Sequence, residues 1–164
     1  MKQTGVKSFL LSFFVGIFLL GSVFGQGLVL QKESLTLELA KKIALACEAK
    51  AKDLGFSVGI VVLDEVGNLK LAYLMDKQSI ISLEWAKAKA LSSFEFKQPT
   101  NKGEFRVWNI AEKTMVLGVS GGFPLVYEKN LLGAIGVSGT KGKDDDTIAS
   151  AGIEVFDAIF KDKK

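Results

Sequence analysis

With 164 residues, 21 Lys and Arg against 18 Asp and Glu and one cysteine, the chain is sized for a single domain and allows no internal disulfide. The small positive surplus lacks any arginine-rich or aromatic-basic run, which excludes nucleic acid as a partner class. There is no histidine, so Ser-His-Asp and Cys-His catalysis and the commonest metal ligand are excluded too.

Residues 1–25 read as a separate object. Lys2 and Lys7 form a charged n-region, FLLSFFVGIFLLG (Phe9 to Gly21) is an apolar h-region, and SVFG ends in a small residue at Gly25. This is the pattern of a secretory signal, and it predicts export to the periplasm or the extracellular space. The competing reading is an uncleaved anchor, which would be the chain's only membrane contact. Cys47 lies too far downstream to be a lipoprotein cysteine. Removing the segment leaves roughly 139 residues and takes the formal charge from +3 to about +1.

A polar leader at 26–34 precedes a domain over 35–160 and a charged tail at 161–164. The stretch LTLELAKKIALACEAKAKDLG predicts an amphipathic helix with Leu39, Ile43, Cys47, Ala51 and Leu54 on its apolar side. Thr36 is its N-cap, Glu38 complements the helix dipole and Gly55 stops it. Cys47 on that side reads as a small core residue rather than a reactive thiol.

FSVGIVVLDEVGNLKLAYLM is two apolar, β-branched runs around DEVGN, a β-hairpin in which Asp64 serves the turn rather than catalysis. SIISLEWAKAKALSSFEF is a second helix, opened by Ser79 or Ser82, with Leu83, Ala86, Ala90 and Phe94 on one stripe. KQPTNKG breaks it at Pro99 and Gly103. A short helix is expected from Glu104 to Glu112, with Phe105 and Trp108 in the core.

Three strands follow at Met115–Val119, Phe123–Tyr127 and Leu131–Val137, the last two joined through EKN. GTKGKDDD leads into a terminal helix with Ile148, Ala151, Val155 and Ile159 aligned. The order predicts an α+β domain, a five-stranded antiparallel sheet with flanking helices. Gly121, Gly122, Gly133, Gly136 and Gly139 are unusual in such strands, because glycine adds backbone entropy and packs no side chain. They point to curvature and to close approach by a helix, a second subunit or a flat ligand, with helix or subunit packing favoured.

Six segments in this order resemble the GlcG/HbpS-like family, which also includes the C-terminal domain of PduO-type cobalamin adenosyltransferases. They are LTLELA, VVLDEVGNLKLAYLMD, AKAKALSS, QPT in place of Arg-Pro-Thr, GGFP with GAIGVSG, and DDTIASAG. The resemblance spans about Leu35 to Phe156. It implies a profilin-like fold, a homo-oligomer, and a haem or other tetrapyrrole ligand, with a corrinoid as the alternative.

Two departures matter. Gln98 stands where the family has an arginine able to pair with a carboxylate, and the lack of histidine leaves Tyr, Met, Cys, Lys or a hydroxyl as axial ligands. The candidate contacts for the ring are Tyr73, Met75 and Tyr127, with Lys141 and Lys143 available for propionates, though each also has an ordinary reading as core or solvated surface. The expected function is an exported small-molecule-binding protein, a carrier or sensor accessory for haem. A scaffold without a ligand is the alternative. An enzyme linked to glycolate metabolism is less supported, because no nucleophile–base pair or paired carboxylates are recognisable.

Overall fold

The computed structural model describes residues 33–110 and 113–161. The signal segment, most of the leader and residues 162–164 of the tail lie outside the described residues. Within them no helix is long and apolar enough to cross a membrane.

Thr36 opens α1 (Leu37–Asp53) by accepting the Leu39 amide at 3.2 Å, and Gly55, at φ +76°, follows its end. β1 (Gly59–Leu63) and β2 (Leu69–Leu74) form the expected hairpin. At its turn, Asp64 Oδ1 accepts the amides of Val66 and Asn68 at 3.1 and 2.9 Å. That is the turn role the sequence assigns it. α2 (Ile80–Phe96) is capped by Ser79, which accepts the Ile81 amide, and ends at left-handed Lys97 just before Pro99.

The expected helix at Glu104–Glu112 is instead β3 (Arg106–Ile110), paired antiparallel with β4 (Lys113–Leu117) from Arg106↔Leu117 to Ile110↔Lys113. The segment is rich in residues that favour strands, the β-branched Val107 and Ile110 and the aromatic Trp108. Phe105, expected in the core, is exposed.

β5 (Gly122–Tyr127) and β6 (Asn130–Ser138) complete a sheet of four strands, not five, in the order β2-β1-β6-β5. β3 and β4 form a separate two-stranded sheet. On β4 the Val116 amide is donated to Ser92 Oγ on α2. A strand whose donor is bound to a helix side chain is unavailable to a ladder there. Pro124 is tolerated because β5 is an edge strand.

α3 (Lys143–Lys161) and α1 cover one face of the sheet, joining Ile43, Cys47, Ile148 and Phe156 to Ile60, Val62, Leu125, Ile135 and Val137. α2 covers the other, setting Ala86, Ala90 and Leu91 on Val61 and Leu63. β1 is therefore buried along its whole length.

The cover by α2 accounts for two of the glycines, Gly122 and Gly136. A Cβ on Gly136 would strike the Ala86 carbonyl oxygen and stand 2.7 Å from Ala90 N, and one on Gly122 would stand 2.7 Å from the Lys89 carbonyl oxygen. These two glycines admit α2, so where it packs the sheet is closed to a second subunit or a flat ligand. On the other face, Gly152 lies against Cys47 Sγ, 2.8 Å from where its Cβ would be. α3 accordingly buries Ile148, Ala149, Gly152 and Phe156, rather than the expected stripe through Ala151, Val155 and Ile159. Burial pushes the Cys47 thiol up to about 12, which makes it inert at neutral pH.

Candidate functional site

Two polar constellations stand out, at opposite ends of the β5–β6 hairpin. The first centres on Lys89, which lies between Ala88 and Ala90 on α2 and is 5% exposed. Its Nζ donates to Asp145 Oδ2 at 2.8 Å and to the Val137 carbonyl at 2.9 Å. Asp145 Oδ1 accepts from the amide and the hydroxyl of Thr140 at 3.1 and 2.9 Å. Next to it, Asp146 accepts from the Gly121 amide at 2.6 Å and from Asn101 at 2.9 Å.

Burial lowers the pKa of Lys89 from the usual lysine value, and the facing Asp145 carboxylate opposes that shift. Among the described residues no buried side-chain nitrogen or oxygen lacks a partner. The constellation is a closed clasp tying α2, β6 and α3 together. Sequence reading took GTKGKDDD only as the lead into the terminal helix and missed the Lys89 partner of Asp145, 56 positions away.

The second constellation is a groove of about 210 Å³ between the end of β5 and the last turns of α3. Val126, Tyr127 and Glu128 form one wall, and Phe156, Asp157, Phe160 and Lys161 the other. Tyr127 stacks on Phe160 with ring centroids 4.2 Å apart and planes at 25°, and Phe156 tilts against Phe160 at 4.9 Å. A phenol thus stands in an aromatic wall with one ammonium beside it. Phe156 and Phe160, four apart on one helix side, were the sequence signal for this wall.

Two further grooves have different linings. One of about 180 Å³ lies beside Ile81, Glu84 and Trp85. The other, about 420 Å³, is larger but wide open, and is lined by alanines of α1 and α3 with Lys50, Asp53 and Glu154. Neither offers a phenol, thioether or thiol to a metal centre.

The five sequence-derived contacts do not meet in one site. Tyr73 lies on the edge strand β2, level with Val137 of β6 through Ile60, and Tyr127 on the opposite edge strand β5, level with Asn130, so three strand spacings and several residues of strand length separate them by roughly 27 Å. The Tyr73 hydroxyl bonds to Glu48, which also holds Lys52 at 2.6 Å. That carboxylate raises the Tyr73 pKa and disfavours a phenolate there. Met75 is buried in the apolar core.

Lys141 and Lys143 are exposed beyond the far end of β6, whose nine residues span roughly 27 Å from the Tyr127 corner. They cannot serve a ring held at Tyr127 in the same protomer. Lys161 lines the groove at that corner, and Lys129 lies in the adjoining turn.

An uncharacterized 15.0 kDa protein from the dhaT–dhaS intergenic region of Citrobacter freundii is 28% identical over 137 residues, covering 79% of this chain and 96% of that protein. The crystal structure of Klebsiella pneumoniae ORFY superposes with a TM-score of 0.71 at 26% identity, covering 81% of this chain and 97% of that one. A double mutant of Streptomyces reticuli HbpS gives 0.66 at 27% identity, covering 79% and 91%. Residues 35–154 match the family model described as haem degrading protein HbpS-like, and the chain belongs to that HbpS-like family.

Proposed function

We propose that this is an exported protein that binds haem, or a related tetrapyrrole, at the Tyr127 groove, as a carrier or sensor accessory. The observation that carries the reading is the Tyr127 phenol set in the Phe156–Phe160 wall. A phenolate is an established axial donor for ferric haem, aromatic walls stack on its ring, and Lys161 faces the groove as a partner for one propionate. When bound, haem would supply a redox-active iron centre. The residues fit it as an open half-site: at about 210 Å³ the groove is smaller than the pockets that enclose ligands of this size, so it covers an edge or one face of the ring.

Titration with ferric haem tests the reading. Saturable binding with a Soret band unlike that of free haem is expected, and Tyr127→Phe should shift that band while Tyr73→Phe leaves it in place. Binding that is non-saturable, or a spectrum indifferent to Tyr127→Phe, would remove the groove as the haem site.

Export rests on the n- and h-regions of residues 1–25. The intact mass of protein recovered from the exported fraction should be short by about the first 25 residues. A full-length mass in the membrane fraction would replace export and cleavage with anchoring.

A further inference from the structure

The two edges of the four-stranded sheet differ in what guards them. On β5 the Gly121 carbonyl accepts the Val137 amide, so by the alternation of an antiparallel ladder Gly122 and Pro124 turn their backbone groups away from β6. Thr100 takes both groups of Gly122: its hydroxyl accepts the Gly122 amide and its own amide donates to the Gly122 carbonyl, each at 3.0 Å. Pro124 has no N–H to offer. Along these residues that edge is closed to a further strand.

β2 carries none of these guards. The Met75 amide donates to the Val58 carbonyl, so Tyr73 and Leu71 face β1 while Lys70, Ala72 and Leu74 turn their backbone groups outward. Among the described residues no turn, loop or cap takes those outward groups. The strand's single charge, on Lys70, leans back to Asp64 of its own turn at 3.6 Å. Ala72 pairs with Val61 and Leu74 with Gly59, which puts both side chains on the α2 face, yet both are exposed. Ile80 and Ile81, which open α2 just after this strand, are 59% and 60% exposed.

We infer that β2 is a docking edge for the same strand of a second copy, paired antiparallel about a two-fold axis at Ala72. An unguarded row of donors and acceptors recognises an extended strand, and β2 complements itself in this register. Ala72 meets the partner's Ala72, and Lys70 lies opposite the partner's Leu74. All three outward residues of each strand are used, in about six hydrogen bonds, with no like charges opposed. An axis at Lys70 would set ammonium against ammonium, and one at Leu74 would leave Lys70 unpaired. The Tyr127 groove lies on the opposite edge, so this interface leaves it open and stands independently of the haem reading.

Light scattering on the exported protein over a micromolar dilution series should show a dimer or a multiple of it. Ala72→Pro removes an N–H that makes no bond within the protomer, and Ala72→Lys sets two ammonium groups together on the axis. Each should raise the dissociation constant at least about tenfold with the far-ultraviolet circular dichroism unchanged. Phe105→Lys, at an exposed position away from β2, should leave it as it is. Ala72→Cys should form an intersubunit disulfide under mild oxidation, because hydrogen-bonded partners have Cα atoms about 5.5 Å apart. Leu74→Cys, four residues from its copy along the ladder at roughly 14 Å, should not. Cys47 is buried and does not compete.

A monomer at every concentration gives the edge to another strand, from the leader or from a different protein, and overturns the inference. So does an assembly whose dissociation is unmoved by both Ala72 variants. A cross-link as strong at Leu74→Cys as at Ala72→Cys overturns the register.

Discussion

Gly136→Val is expected to cost more than about 3 kcal/mol, a large fraction of the stability of a domain this size. The added Cβ would meet the Ala86 carbonyl oxygen and stand 2.7 Å from Ala90 N, both backbone atoms of α2. A flexible side chain could swing aside, but a helix backbone cannot without lifting Ala86 and Ala90 off Val61 and Leu63. Gly136 pairs with Val61 on one side and Gly122 on the other, so the strain falls at the centre of the sheet.

Gly103→Ala serves as the contrast. Gly103 has φ +80° and nothing within 4 Å of its Cβ position, so substitution there costs only the backbone term, about 1 kcal/mol. Urea midpoints of the two variants check the argument. A Gly136→Val midpoint equal to that of Gly103→Ala would mean that α2 does not rest on β6 as described.

What was legible in the sequence was mostly local. Thr36, Ser79 and Asp64 satisfy backbone amides two to four residues away, and those short-range bonds fix helix starts and a turn whatever the rest of the chain does. Gly122 and Gly136 announced a close approach, but only the packed structure shows that α2 makes it. The terminal helix was placed correctly and its buried face was not, because a periodicity reading rewards large residues while the crossing at Cys47 needs the smallest one, Gly152.

The candidate contacts were scattered for the same reason. Tyr127 was singled out together with Lys141 and Lys143, which lie near the end of β6 in sequence and a strand's length away in space. The aromatic wall and Lys161 come from the last turns of α3, where the motif resemblance had already stopped. Sequence distance along a hairpin is a poor guide to which end of it a later helix visits.

The clasp at Lys89 yields the other large effect. Lys89→Met should destabilise the domain by about 3–5 kcal/mol, because it leaves the Asp145 carboxylate, 3% exposed, with Thr140 as partner and no counter-charge. Asp145→Asn in the same chain keeps a side-chain oxygen for Thr140 and removes the stranded charge, so Lys89→Met/Asp145→Asn should recover much of the loss. The pH dependence carries a sign that separates this account from simple lost packing. In the single variant the buried carboxylate has lost its counter-charge, so protonation relieves the stranded charge and stability is expected to return as pH falls. In the unaltered protein the depressed Lys89 pKa acts in a different window. Between its folded value and the ordinary 10.5, the unfolded chain binds more protons, so this group contributes stability that rises with pH only on the alkaline side. Urea midpoints from pH 5 to pH 8 should therefore climb toward acid for Lys89→Met relative to the unaltered protein, and should lose that relative climb in the double variant. Should the double variant prove no more stable than the single one, the damage lies in the lost lysine stem and not in a stranded charge, and the clasp would be packing rather than electrostatics.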